Sequence, residues 1–263
     1  MFNIIKRKKP LHIRCLTAKP KIANLFPPKK LSQDIPEWWK NTPAYMPAPK
    51  TKNTFSDLRN RITKLHRSAK HCYAMQETFK QGIGFYLWSD AFIEVAHNDR
   101  IEAVSPDRHP FGSQHDRRQY PGLLPDNYCN YKLNSPWMFY TEEHVPFWMC
   151  DPFYHKLNRD WQTMNGVVET YYQHTLNVNL ILRKPLPVKG KQKEQRIQYE
   201  FCAGDCIAYL IPMTHDRKII LTAEEISEKE WEKLRAHQRI WFRHHREMIK
   251  HNQGGYPTTI GGA

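Results

Sequence analysis

No run of about eighteen apolar residues occurs in the sequence, the length a helix needs to cross a bilayer, so no spanning helix is expected. The basic cluster within residues 1–10 has no apolar core after it, and a secretory signal is not expected either. The six cysteines, Cys15, Cys72, Cys129, Cys150, Cys202 and Cys206, form no CxxC pair. Cys202 and Cys206 flank a turn at Ala203-Gly204-Asp205, but a zinc site needs two further ligands at a recognisable spacing, and unbridged buried thiols fit better. A strand, Gly-rich loop and helix never follow one another, which argues against a nucleotide-binding α/β fold. HExxH and a nucleophile elbow are both missing. Acid is short as well: 26 Asp+Glu stand against 40 Lys+Arg, a net charge of +14. That balance favours polyanions as partners through attraction and counterion release, whether nucleic acid, acidic protein or an anionic membrane surface.

The 263 residues are 40% hydrophobic and 13% aromatic, enough for a core, so disorder of the whole chain is excluded. Residues 1–30 hold nine Lys or Arg and no acid, and Pro10, Pro20, Pro27 and Pro28 interrupt regular structure. Residues 1–53 therefore read as an extended, basic, Pro-rich arm. Trp38 and Trp39, set among prolines, either anchor that arm on the domain or dock a partner. From Thr54 to about Lys80 the pattern reads as helical, with Cys72, Met75 and Phe79 at helix spacing over 71–80, and Gly82 and Gly84 stop it.

Residues 54–221 read as a β-rich core. Short, turn-bounded apolar stretches predict strands at 84–95, 101–104, 137–141, 167–172, 177–183, 198–201, 206–211 and 218–221, and 145–155 is unusually aromatic. Residues 105–130 read as one long irregular loop, and 187–196 as an exposed basic loop. Thr222 with Glu225 three residues on looks like a capping box opening a long amphipathic helix over 222–253. Acids crowd its start and bases its end, and Gly254 and Gly255 begin a tail over 254–263. The expected class is mainly β (α+β), an antiparallel jelly-roll-like sandwich with the basic arm and the C-terminal helix attached.

Four constellations could carry chemistry. Arg235, Arg239, Arg243, Arg246 and Lys250 share one face of the expected helix; with Lys6, Arg7, Lys8 and Lys9 they could track phosphates, or form a solvated face balanced by Glu228 and Glu232. His97-Asn98-Asp99 is an H-x-D, with His174 later and Arg183 nine residues beyond it. Two His and one carboxylate suit non-haem Fe(II), and an arginine suits an acidic cosubstrate. The alternative is hairpin-turn chemistry. Acid–base candidates lie near one another in sequence at Glu142, Glu143 and His144, at Asp151 and His155, and at His109, His115 and Asp116 beside Arg117 and Arg118. The aromatics from Trp137 to Tyr154, beside Met138 and Met149, could stack bases or form an interface, with plain core as the default.

The His97, Asp99, His174 and Arg183 pattern resembles the 2-oxoglutarate-dependent oxygenases, a double-stranded β-helix family. The resemblance implies iron on His97, Asp99 and His174, and 2-oxoglutarate on Arg183. Separately, Ile35-Pro36-Glu37-Trp38-Trp39-Lys40, Met75-Gln76-Glu77-Thr78-Phe79-Lys80 and Ala203-Gly204-Asp205-Cys206-Ile207-Ala208-Tyr209-Leu210-Ile211-Pro212 resemble an uncharacterised family of tailed-phage proteins of marine and cyanobacterial type. The last segment is also similar to strand pairs in cupin-like folds. The phage resemblance implies a viral origin. The charged arm, the long helix and the surface aromatics, with no convincing catalytic set beside them, lead to the expectation of a protein in the virion or the host cytoplasm that works without a cofactor by binding protein partners, virion proteins among them. An Fe(II)/2-oxoglutarate oxygenase and a non-specific nucleic-acid-binding protein are the alternatives.

Overall fold

Leu11, Ile13 and Cys15 alternate with His12 and Arg14, the period of a half-buried strand. In the computed structural model, which describes residues 8–47, 65–98, 100–104, 111–115, 122–155, 159–170, 175–186, 195–214 and 217–238, that pattern forms β1 (Leu11–Thr17). The arm expected over 1–53 is therefore corrected: β1 lies inside a six-stranded sheet. It runs parallel to β16 (Ile219–Glu225) over seven residue pairs and antiparallel to β9 (Tyr128–Tyr140). Counting charge hid the alternation, because the bases of this stretch are the outward half of it. The boundary expected at 53/54 lies outside the described residues.

The rest of that sheet is β13 (Thr175–Arg183), paired with nearly the whole of β9, then β11 (Trp161–Thr163) beyond it, and β8 (Gly112–His115) on the opposite side of β9. A five-stranded sheet takes the order β12 (Gly166–Glu169), β10 (Pro146–Cys150), β15 (Cys206–Pro212), β5 (Ile83–Tyr86), β2 (Lys29–Lys30). β14 (Arg196–Phe201), β6 (Ala91–Ala96) and β7 (Ile101–Val104) make a third sheet, and β3 (Tyr45–Pro47) pairs with β4 (Leu65–Arg67). Among the described residues every pairing except β1–β16 is antiparallel, so the fold is mainly β with several antiparallel sheets. Inward side chains of the three large sheets share one core: Ile13 and Phe139, Phe85 and Phe147, Ile93 and Phe201 all belong to it. Phe85 meets Phe139 edge-on at 6.0 Å between ring centres, joining the five- and six-stranded sheets.

Four other expectations are corrected. The helix expected over 54–80 is strand at Leu65–Arg67 and α-helix only over Tyr73–Gln81, with 54–64 outside the described residues. The stretch 84–95 is not one strand: β5 and β6 belong to different sheets, separated by residues 87–90. Gly112–His115 is a strand and Tyr128 already starts β9, so the loop expected over 105–130 is interrupted; 105–110 and 116–121 lie outside the described residues. The C-terminal helix begins at 228, not 222, and is described as far as 238. Thr222 and Glu225 belong to β16, where Ile219, Ile220 and Leu221 favour extended chain and β1 supplies a partner strand. Ser227 caps the helix instead, its Oγ accepting from the Glu230 N–H at 3.2 Å.

Short helices lie against two of the sheets. α1 (Pro20–Leu25) touches β1 and β16; α2 (Glu37–Asn41) and α3 (Tyr73–Gln81) lie with the 3-10 turn Leu31–Gln33 against the outer face of the five-stranded sheet. The Ala203-Gly204-Asp205 turn forms as read: Gly204 has φ +88°, a left-handed conformation that glycine adopts without strain, and Asp90 and Asp205 accept the Ala203 and Cys202 N–H groups. None of the six cysteines is in a disulfide; Cys202 is exposed and Cys206 buried, so the two point apart.

Candidate functional sites on the two outer faces

On the outer face of the five-stranded sheet, Tyr86 and Tyr209 project away from the main core into a second cluster with Leu31, Phe79 and Cys206. Trp39 stacks on Phe79 at 4.9 Å, Tyr154 on Phe79 at 5.5 Å, and the Trp38 indole N–H donates to the Tyr154 carbonyl at 2.7 Å. The tryptophan pair thus anchors the N-terminal chain. At the centre is a closed polar set. His155 Nδ1 meets the Tyr209 hydroxyl at 2.5 Å; His155 Nε2 meets the Asp34 carbonyl at 2.9 Å and its carboxylate at 3.3 Å. The Tyr86 hydroxyl donates to the same carboxylate at 2.5 Å. Gly84 makes room for this: a side-chain carbon there would lie 2.5 Å from the Tyr86 hydroxyl.

Burial sets the protonation of this set. It pushes the Tyr86 and Tyr209 hydroxyls well above the usual phenol range, and it lowers His155 although Asp34 pulls the other way. A neutral imidazole then donates from Nε2 to Asp34 and accepts at Nδ1 from Tyr209. Both ring nitrogens are spent inside the protein, so the Asp151–His155 neighbourhood flagged in the sequence yields a clasp rather than an exposed acid or base. Asp151 itself pairs with Arg159, whose guanidinium lies 4.4 Å over Trp161.

The outer face of the six-stranded sheet has the opposite character. Along β13, Leu176, Val178, Leu180 and Leu182 enter the core, while Asn177, Asn179, Ile181 and Arg183 face out. Asn134, Lys132, Asn130 and Tyr128 of β9 stand opposite them in that order. Ser113 and His115 of β8 flank Lys132 and Asn130 on the far side, and Gln162 of β11 flanks Ile181. Not one Asp or Glu occurs in β8, β9, β11 or β13. Asn130 is buried with neither amide atom hydrogen-bonded, and Asn179 Oδ1 is likewise unpaired. Arg14, Arg100, Arg159, Arg196, Arg217 and Arg235 are each in an ion pair. Among the described residues no such pair engages Lys132 or Arg183.

At the end of β13 this face opens into a cleft of about 390 Å3, lined by Arg183, Lys184, Asn127, Gln195, Tyr199 and Asp160 among others. The Tyr199 hydroxyl donates to the Arg183 carbonyl at 2.5 Å and fixes the cleft's floor to β13. Comparison with protein-family models, curated proteins and solved structures gives no match. The chemistry of the two faces is therefore the ground on which function is read.

Of the iron ligands expected from the sequence, His97 alone is described. It sits in the β6–β7 turn, half-buried, with Nδ1 enclosed and unpaired, and Asn98 Oδ1 accepts the Arg100 N–H as a hairpin turn demands. Asp99 and His174 lie outside the described residues. Among the described residues no group of three or more His, Cys, Asp or Glu side chains is placed to hold a metal ion. Arg183, the residue the oxygenase resemblance assigns to 2-oxoglutarate, lies on the wall of the cleft. Gln195, which lines the cleft, lies one residue before Arg196, the partner of Ala96, so His97 follows the same end of that ladder.

Of the expected polyanion-binding set, Lys8 and Lys9 are exposed, and Lys9 is tethered through its carbonyl to Arg217. Arg235 is paired with Glu232 at 3.3 Å, the balanced face that was the alternative reading. Lys6, Arg7, Arg239, Arg243, Arg246 and Lys250 lie outside the described residues. No described helix is long and apolar enough to cross a membrane. Of the aromatic group from Trp137 to Tyr154, Trp137, Phe139 and Phe147 are core, whereas Trp148 and Phe153 are exposed. Sequence reading missed the acid-free face because it exists only once β8, β9, β11 and β13 are in register; the signal available was the absence of acid from 128–140 and 175–183.

Proposed function

We propose that the chain acts by binding, without catalysis, and that the cleft at the end of β13 seats an anionic group of its partner. The observation that carries this is the pair of adjacent cations Arg183 and Lys184 on a cleft wall, with the amides of Asn127 and Gln195 beside them and Asp160 the acid among its lining residues. Guanidinium and ammonium together neutralise an anion, and neighbouring amides complete its hydrogen bonds. The chain's net charge of +14 draws such a partner in from a distance. The scaffold in this reading is a jelly-roll-like sandwich, and the resemblance to tailed-phage proteins points to a virion component or an accessory protein in the host cytoplasm. Thermal unfolding of the full chain in inorganic phosphate, against chloride of equal ionic strength, tests the cleft. Phosphate should raise the unfolding temperature of the native protein and leave an Arg183→Ala, Lys184→Ala double variant unchanged. Equal temperatures in the two salts for the native protein would remove the reading.

A second reading, an Fe(II)/2-oxoglutarate oxygenase, is favoured by Arg183 on the same cleft wall, a fitting seat for a dicarboxylate. Anaerobic iron loading followed by metal analysis separates the two. An iron content that does not change in His97→Ala and His174→Ala variants eliminates the oxygenase.

A further inference from the structure

The acid-free face and the cleft are continuous, because Arg183 closes the row of outward residues on β13 and also lines the cleft. We propose that the outer face of β8, β9, β11 and β13 is a platform for single-stranded nucleic acid, with a backbone phosphate seated at Arg183. The inference rests on the cleft reading and adds the partner's class.

Three features select that class. The first is charge: Lys132 and Arg183 are cations outside any ion pair among the described residues, on strands with no carboxylate to repel a phosphate. The second is the amides. Asn134, Asn177 and Gln162 face out, each a donor and an acceptor together. The carboxylates of an acidic surface accept only, so they would leave the acceptor half of those amides unused. Base edges offer donors and acceptors side by side, which is what an Asn or Gln amide reads. The third is shape. A broad sheet cannot enter the major groove, which admits a helix or a two-stranded ribbon, whereas single strands lie across sheets and stack on their aromatic residues. Tyr128, half-buried and opposite Arg183, is the ring placed to stack a base. From Asn134 to Tyr128 the platform runs about 20 Å at roughly 3.4 Å per residue, room for a few nucleotides.

Fluorescence anisotropy of a labelled 12-nucleotide oligo(dT) and an oligo(A) RNA, with the full chain at 50 and 200 mM salt, tests the proposal. Native protein should bind both, and its affinity should fall steeply with salt, each phosphate contact adding about 0.7 to the log–log slope. Lys132→Ala and Arg183→Ala should each weaken binding about three- to tenfold and lower the slope by about one contact. Asn177→Asp and Asn179→Asp, which bring acid onto the face, should weaken it about tenfold or more, with unfolding temperatures confirming that each variant is folded. If oligonucleotides do not bind while phosphate still stabilises the native protein through Arg183 and Lys184, the platform is overturned and the cleft reading stands. Oligonucleotide binding that none of the four variants changes also overturns it. So does competition by poly-glutamate as effective as by unlabelled oligonucleotide, which would mark an acidic protein as the partner. Failure of both phosphate and oligonucleotide removes both readings.

Discussion

The two large sheets turn opposite outer faces to their surroundings. On the five-stranded sheet the outward residues are Tyr86, Cys206 and Tyr209, roofed by Trp39, Phe79 and Tyr154, and the polar atoms at the centre satisfy one another. On β9 and β13 of the six-stranded sheet they include asparagines, a lysine and an arginine, and the amide of Asn130 and the Oδ1 of Asn179 are buried and unpaired. The first face spends its side chains on holding the chain together, and the second leaves polar atoms unmatched. A buried polar group costs free energy unless it is paired, so a closed set such as His155–Tyr209–Asp34–Tyr86 signals stability, and an open one signals a ligand or water.

Substitutions should separate the faces by the size of their effect on stability. Phe79→Ala removes the ring on which Trp39 and Tyr154 both stack, and should cost about 3–5 kcal/mol in urea denaturation. Next comes Tyr209→Phe, which leaves His155 Nδ1 buried and unpaired at a cost of about 1–3 kcal/mol. A smaller effect is set by pH. Burial holds the folded-state pKa of His155 below its ordinary value of 6.5, so below that pH the unfolded chain binds more protons than the folded one. Stability present at neutral pH should therefore fall as pH drops from about 6.5 toward the folded pKa, by at most about 1.4 kcal/mol per unit for this one group. Denaturation curves at pH 7.5 and 5.5 read this out, and His155→Gln should flatten the difference that His155 contributes. Smallest of all, Lys132→Ala and Asn134→Ala on the open face should change stability by no more than about 0.5 kcal/mol. A large loss from either would mean that the open face, too, is structural, and the contrast between the sheets would disappear.

Part of this could be read from the chain. Local rules found the β6–β7 hairpin around Asn98, the Gly204 turn and the last part of the helical stretch, α3, from the spacing of Cys72, Met75 and Phe79; for Trp38 and Trp39 they offered anchoring as one of two readings. They failed where a distant partner overrode local preference. Thr222–Glu225 carries the signature of a helix start, yet it is held as strand because β1 pairs with it, and Arg14 grips Glu224 at 2.6 Å across 210 residues of sequence. The clasp is equally remote, joining Asp34 to His155 over 121 residues.

By itself, then, the sequence determined the excess of positive charge, the β-rich class and the turns, because these depend on composition and on contacts a few residues apart. Tertiary structure alone decided which strands became neighbours, and with them which side chains share a face. Register is a long-range property: sliding a strand by one residue exchanges its inward and outward sets, and only the packed core selects between them. The same asparagines would be ordinary surface residues on isolated strands. Set side by side on β9 and β13, with no carboxylate among them, they become a surface with a defined chemistry.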